Sequence, residues 1–178
     1  MKLSTYRQSD QREIEALFTR TFSDSEGREE GESIGHLTLE LMARAEKEDL
    51  FGFIATEPGQ IVGCIFFTRL SFDSPIKAFL LSPVAVDTGH QGKGIGRKLI
   101  NFGINRLNEL GVELIFIYGD PDYYSKMGFK HVPQEVVKAP FELAYPGGWL
   151  GQSLNGRGIK PLSGRARCVE AFNDPRYW

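Results

Sequence analysis

The stretch Leu80–Leu99, LLSPVAVDTGHQGKGIGRKL, constrains the fold more than any other segment of the chain. An apolar run of Leu80, Leu81, Val84, Ala85 and Val86 meets a loop holding Gln91, Gly92, Lys93, Gly94 and Gly96, and apolar residues then recur at helical spacing from Ile95 and Leu99. The order is strand, glycine loop, helix. Glycines at 92, 94 and 96 keep bulk off the turn, so backbone N–H groups can approach an anion at the positive end of a helix dipole. Two familiar phosphate motifs do not fit. A P-loop requires a Gly-Lys-Ser/Thr end, and a dinucleotide fingerprint requires a third glycine where Leu99 stands.

The 178 residues suit a single domain with a proper core, read here as 1–178 with a loop-rich extension from about residue 133. A net charge of −2 argues against nucleic acid or an anionic membrane as partner. Positive charge is local instead, in Lys93, Arg97 and Lys98 beside the glycine loop. Cys64 and Cys168 have no metal-ligand or CxxC spacing and read as free thiols in a reducing compartment. The start MKLSTYRQSD lacks a signal-peptide core, and no run approaches the ~18 apolar residues of a membrane span, so a cytoplasmic location is expected.

Taken in order, Lys2 to Arg7 reads as an edge strand. Ser9 and Asp10 offer cap oxygens to a helix carrying Ile14, Leu17 and Phe18 and ending near Thr21. Ser23 to Glu32 is an acidic patch between helices, and the second helix presents Ile34, Leu37, Leu41, Met42 and Ala45. A hairpin follows, turning at Glu57-Pro58-Gly59-Gln60. Pro83 cannot donate to a ladder and predicts an edge or a bulge in the next strand. The helix after the glycine loop carries Ile95, Leu99, Gly103, Leu107 and Leu110 and stops at Gly111. Val112 to Tyr118 is apolar enough for a central strand. Asp120 and Pro121 then cap and open a short helix. Beyond Val132, loops dominate, Ala166 to Ala171 reads as a strand, and Trp149 and Trp178 anchor loops to a core.

That short helix carries a second motif, Tyr124-Ser125-Lys126-Met127-Gly128-Phe129. Together with Gln91-x-x-Gly94-x-Gly96 after Val84-Ala85-Val86, it resembles the signature of the GNAT N-acetyltransferases. The two motifs are separated by a helix and a strand in the order that family requires, so each supports the other. The resemblance implies an α/β (α+β) fold, with a central mixed, mostly antiparallel sheet splayed between strands 4 and 5 and flanked by helices. It implies acetyl-CoA as co-substrate and no metal. The cofactor then lies against Val84, Ala85, Val86, Gln91, Gly92, Lys93, Gly94, Ile95, Gly96, Arg97 and Lys126, with the Tyr124 hydroxyl beside the sulfur. Many members carry an asparagine at the end of the fifth strand, where this chain has Tyr118-Gly119-Asp120-Pro121. The run Gly119-Asp120-Pro121-Asp122-Tyr123-Tyr124 instead looks like an acetyltransferase subgroup with a GDPxYY motif and an extended C-terminus. A homodimer stays open, and the amine acceptor is unknown.

Acyl transfer from a thioester to an amine needs a neutral nucleophile, a place for oxyanion charge, and a proton for the leaving thiolate. Tyr124 is the expected proton donor, with an ordinary pKa near 10. Backbone N–H groups of Val84 or Val86 are the expected oxyanion donors. A strand glutamate used as base by some relatives is replaced by Leu80, and a second such position is Ser82. The base is therefore a water relay through Ser82 or a carboxylate from Glu26, Glu29, Glu30 or Glu32, with His36 and His90 weaker candidates. A non-catalytic CoA-binding sensor is the alternative reading.

Overall fold

The structure, a computed structural model, describes residues 1–178. In chain order the elements are β1 (Lys2–Thr5), α1 (Gln11–Glu26), α2 (Arg28–Arg44), β2 (Leu50–Glu57), β3 (Gln60–Leu70), β4 (Ala78–Val86), α3 (Ile95–Glu109), β5 (Leu114–Tyr118), α4 (Pro121–Tyr124), β6 (Lys130–His131) and β7 (Trp149–Ser153). The strands form a seven-stranded sheet in the order β1-β2-β3-β4-β5-β7-β6. Pairing is antiparallel for β1 with β2, β5 with β7 and β6 with β7, and parallel for β4 with β5. This is the mixed, mostly antiparallel sheet flanked by helices that the resemblance implies.

The parallel ladder is short. It pairs Ala78 with Leu114, Phe79 with Ile115 and Leu80 with Phe116, then stops. Both strands continue, and Ile117 and Tyr118 pair on their other side with Leu150 and Trp149 of β7. Beyond Leu80 and Phe116 no further pair joins β4 to β5. Pro83 falls just past the last pair of that ladder, within β4, where the pairing with β5 has already ended.

Two compact units make up the chain, one of residues 1–67 and 83–104, the other of 68–82 and 105–178. In the first unit, successive residues of β3 point to opposite faces. Phe66 meets Phe18 of α1 and Tyr6, at ring separations of 6.0 and 5.6 Å. Phe67 meets Phe53 at 6.0 Å, and both rings lie where a side chain at Gly103 of α3 would be. With a helix on each face, Ile61 to Thr68 is buried without alternation.

The acidic stretch Ser23 to Glu32 is not a loop. α1 runs on to Glu26, Gly27 alone turns the chain at φ +102°, and α2 begins at Arg28. An apolar stripe marks only the face a helix buries, so the exposed last turn of α1 had no such mark. Gly31 and Gly35, one turn apart on α2, face Thr19 and Ser23 of α1, where a Cβ would collide with their side chains. At the start of α1, the Asp10 carboxylate accepts the Arg7 N–H at 2.7 Å and so caps the preceding 3-10 turn rather than the helix itself.

In the second unit, Phe116 stacks on Trp149 at 5.1 Å, and Trp178 closes on Trp149, Phe141 and Phe172. The indole N–H of Trp149 donates to Val137 O and that of Trp178 to Phe172 O, each at 3.0 Å. Both tryptophans thus anchor loops, as their setting suggests. Residues 166–171 form no strand: isolated bridges from Arg167 to Ser71 and from Arg165 to Lys138 replace it, and the chain turns into a 3-10 helix over Glu170–Phe172. Leu110 is exposed, since α3 ends at Glu109 and Gly111 turns the chain at φ +78° before another helical turn can bury it.

Candidate active site

The end of β4 alternates as the pleat requires, with Ser82, Val84 and Val86 half-buried and Pro83 and Ala85 buried. At Asp87 the strand gives way to a 3-10 turn over Thr88–His90, then to Gln91 and the glycines. Gly92 and Gly94 adopt φ of +74° and +76°, a region that L side chains rarely enter, and open space lies where their Cβ atoms would be. Conformation, not lack of room, therefore calls for glycine at these two positions. Gly96 differs, being buried inside the first turn of α3.

The first helical hydrogen bond runs from Lys98 N–H to Gly94 O at 3.1 Å. None of the backbone N–H groups from Gly92 to Arg97 donates to a backbone carbonyl. Helices leave their leading donors unpaired, and here those of Ile95, Gly96 and Arg97 continue the run from the loop at the positive end of a 15-residue helix. Lys93, Arg97 and Lys98 are exposed around it. The arrangement fits an anion of more than one phosphate. Gln91 works inward, its Nε2 donating to Val86 O at 3.0 Å and fastening the loop to the strand it leaves. The Lys93 ammonium donates to Gly89 O at 3.3 Å.

Sequence reading passed over the fastening of this loop. The Asp87 carboxylate accepts from Gly89 N–H at 3.1 Å and from Arg20 Nε and Nη2 at 3.2 and 2.8 Å, and lies 2.8 Å from His90 Nδ1. His90 and Arg20 hold its carboxyl below the usual carboxylate range. His90 Nε2 is 3.6 Å from Glu57. Thr88 donates to Asp24 at 2.7 Å. His90 is thus a loop fastener, and His36 is an exposed partner of Glu40 at 3.6 Å. Among the acidic candidates, Glu32 is paired with Arg28 at 2.7 Å, while Glu26 and Glu29 are exposed and Glu30 is half-exposed.

In the second unit, Asp120 caps α4 by accepting the Asp122 N–H at 2.9 Å, with Pro121 in the first turn. The helix is too short to stand alone, and its aromatic rings hold it. Tyr124 packs edge-on to Tyr123 at 4.9 Å and to Phe129 at 6.0 Å. Its ring also lies against Gly119, where a Cβ would come within 2.7 Å of Cε2. Burial, then Tyr123 and Asp120, push the Tyr124 hydroxyl well above the ordinary tyrosine value expected from sequence. Lys126 is exposed in the following turn. At the end of β5, the Tyr118 hydroxyl accepts the Tyr145 N–H at 2.7 Å, and Gly119 N–H donates to Gly148 O at 2.9 Å.

Neither cysteine is poised as a nucleophile. Cys64 is fully buried, which raises its thiol, and burial pushes Cys168 up to about 11. No group of three or more His, Cys, Asp or Glu side chains is arranged to hold a metal ion, and no helix is long and apolar enough to cross a membrane. Arg165 and Arg167 serve as loop fasteners, donating to Ala139 O and Phe72 O. A cavity of about 440 Å³ lined by Lys130, His131, Val136, Gln152 and Ile159 contains none of the predicted site residues. It lies beside the part of β7 that pairs with the early end of β5, away from Tyr118.

Similarity to known proteins centres on these elements. The model of the acetyltransferase (GNAT) domain matches residues 48–131. The uncharacterized N-acetyltransferase YjhQ of Escherichia coli is 31% identical over 169 residues, covering 91% of this chain and 88% of that protein. The solved structure of the GNAT protein YhbS of Escherichia coli in complex with CoA aligns with a TM-score of 0.84 at 24% identity, over 97% of this chain and 92% of that one. A Brucella melitensis GNAT family acetyltransferase in complex with acetyl-CoA aligns with a TM-score of 0.75 at 26% identity, over 96% and 97% of the two chains.

Proposed function

The chain belongs to the GNAT acetyltransferase family, and from that premise we propose that it moves the acetyl group of acetyl-CoA directly onto a primary amine of a small molecule or protein. The whole chain acts as one acetyltransferase domain. The observation that carries this reading is the unbroken run of unpaired backbone N–H donors from Gly92 to Arg97. The cofactors in the Escherichia coli and Brucella complexes support it from outside the chain.

In this scheme the loop amides of Gly92, Lys93, Gly94, Ile95, Gly96 and Arg97 take the CoA pyrophosphate, and Gln91, its own N–H turned to Thr88 O, holds the loop in place. Val84, Ala85 and Val86 lend backbone groups to the pantetheine arm. An amide N–H of Val84 or Val86 meets the oxyanion as the thioester carbonyl becomes tetrahedral. A lysine-like amine must first lose a proton, at a cost of about 4 kcal/mol at neutral pH. Ser82, on the same strand face as Val84 and Val86, relays that proton through water, with Glu26, Glu29 or Glu30 as the carboxylate alternatives.

Tyr124 acts on the departing sulfur. Its hydroxyl is held protonated, yet its raised pKa makes outright proton transfer to a thiolate near 8.5 uphill. Tyr124 therefore donates a hydrogen bond as charge builds on sulfur and gives up its proton only as another returns from the amine. Lys126 adds positive charge in the same segment. With Cys64 and Cys168 both held as thiols, transfer is direct rather than through an acyl-cysteine. Free thiols also favour a cytoplasmic location.

One observation favours a second reading, a CoA sensor without turnover: Leu80, where some relatives carry a base, is a buried aliphatic residue. Steady-state release of CoA from acetyl-CoA across a panel of primary amines separates the two. The proposal expects release that depends on the amine. Tight acetyl-CoA binding with no release across the panel would establish the sensor instead.

A further inference from the structure

We propose that Arg20 and Asp87, with Asp24 and Thr88 beside them, form a clasp that positions the glycine loop and neutralises a carboxylate that would otherwise repel the cofactor's pyrophosphate. This rests on the reading of the loop as the pyrophosphate site. The clasp has two arms from one face of α1, because Arg20 and Asp24 are one helical turn apart. They hold two successive loop residues, Arg20 through Asp87 at 2.8 Å and Asp24 through Thr88 at 2.7 Å.

Nothing packs on the glycines themselves, since open space surrounds the Cβ directions of both Gly92 and Gly94. The loop's shape must therefore be set from its base, and Asp87 is that base. Its own N–H donates to Val62 O at 2.9 Å, and its carboxylate gathers the Gly89 N–H, the His90 ring and the Arg20 guanidinium. This places a negative charge at the base of a loop whose ligand is itself an anion. Without a cation against it, that charge opposes the ligand. Arg20 supplies the cation, its Nε and Nη2 both donating to the single oxygen Oδ2, while Oδ1 faces Gly89 and His90.

Arg20 is half-exposed, and a single exposed ion pair adds little to folding stability. The clasp should therefore be felt in ligand affinity more than in melting temperature, which marks Arg20 and Asp87 as positioning residues. A purely structural pair would behave in the opposite way.

The test is calorimetric titration of CoA into the wild type, Arg20→Lys, Arg20→Met and the double variant Arg20→Met/Asp87→Asn, each checked by thermal melting. Arg20→Met should weaken CoA by about tenfold or more with little change in melting temperature, the loss that about 1.4 kcal/mol represents. Arg20→Lys should keep most of the affinity. The double variant, which removes the stranded charge but leaves the arm cut, should bind CoA more tightly than Arg20→Met and less tightly than wild type. Unchanged affinity in Arg20→Met overturns the clasp, as does a double variant no better than Arg20→Met. If Arg20→Met does not fold, Thr88→Val decides by cutting the second arm: weaker CoA binding supports the clasp, and wild-type binding overturns it. A wild type that does not bind CoA at all removes the pyrophosphate reading and the clasp with it.

Discussion

Tyr124 shows how a residue's setting changes what its chemistry can contribute. In water a tyrosine titrates near 10. Here burial and the nearby Tyr123 and Asp120 hold the proton more tightly, and no protein group hydrogen-bonds to the hydroxyl. Turnover should therefore show no descending alkaline limb assignable to Tyr124 below about pH 10, as read from a kcat profile with a fixed, fully deprotonated amine. Tyr124→Phe should lower kcat by ~10- to 10³-fold and leave CoA affinity nearly unchanged, as seen by comparing steady-state rates with titration. Equal kcat in the variant would remove the residue from the chemistry. Asp87 has the opposite shift, its carboxyl held low first by His90 and then by Arg20. A carboxyl whose folded pKa lies below its unfolded value stabilises the fold above about pH 4, and that contribution fades as pH falls through the lowered value. Urea melts from neutral pH to about pH 3 should show a shallower acid loss in Asp87→Asn than in wild type.

At the scale of elements, close approach governs the helices. Gly31 in α2 lies against the backbone of α1, where a Cβ would come within 2.7 Å of both Thr19 O and Ser23 N. Gly31→Ala should lower stability in urea by about 1–3 kcal/mol, because overpacking outweighs the roughly 1 kcal/mol of helix propensity that alanine regains. A neutral or stabilised variant would mean that the two helices can part without cost. Sequence patterns were legible where several local signals agreed. The strand, glycine loop and helix from Ala78 to Glu109 follow from apolar period and glycine placement, and the Asp120–Pro121 helix start follows from capping chemistry. Where the partner lay far along the chain, the pattern carried nothing. Arg20 and Asp87 are 67 positions apart, and neither residue alone hints at the other. The one-residue turn at Gly27 was hidden for a different reason, since an acidic run reads as a loop unless the helices around it are already placed.

For the whole molecule, similarity to YjhQ spans nearly all of both chains, so the extension beyond residue 133 belongs to a shared architecture. In the second unit that extension supplies β7, the tryptophan anchors and the backbone that ties down the end of β5. These contacts give the loop-rich region a structural role at the place from which the Tyr124 segment departs. The acceptor class rests on the amine panel, because the acidic side chains of α1 and α2 are partly committed to Arg28 and Thr88. The central claim is narrower: the glycine loop holds the cofactor. A ligand that binds only the folded protein stabilises it by about 2.7 kcal/mol at 100 times its Kd. For a chain of this size that is a rise of roughly 5–11 °C in melting temperature. Thermal melting of wild type and Gly94→Asp with saturating CoA tests this most directly. Wild type should gain a shift of that order, and the folded variant should gain none, because a charged side chain would fill the open approach at a position with φ +76°. An equal CoA-induced shift in both proteins would contradict the claim.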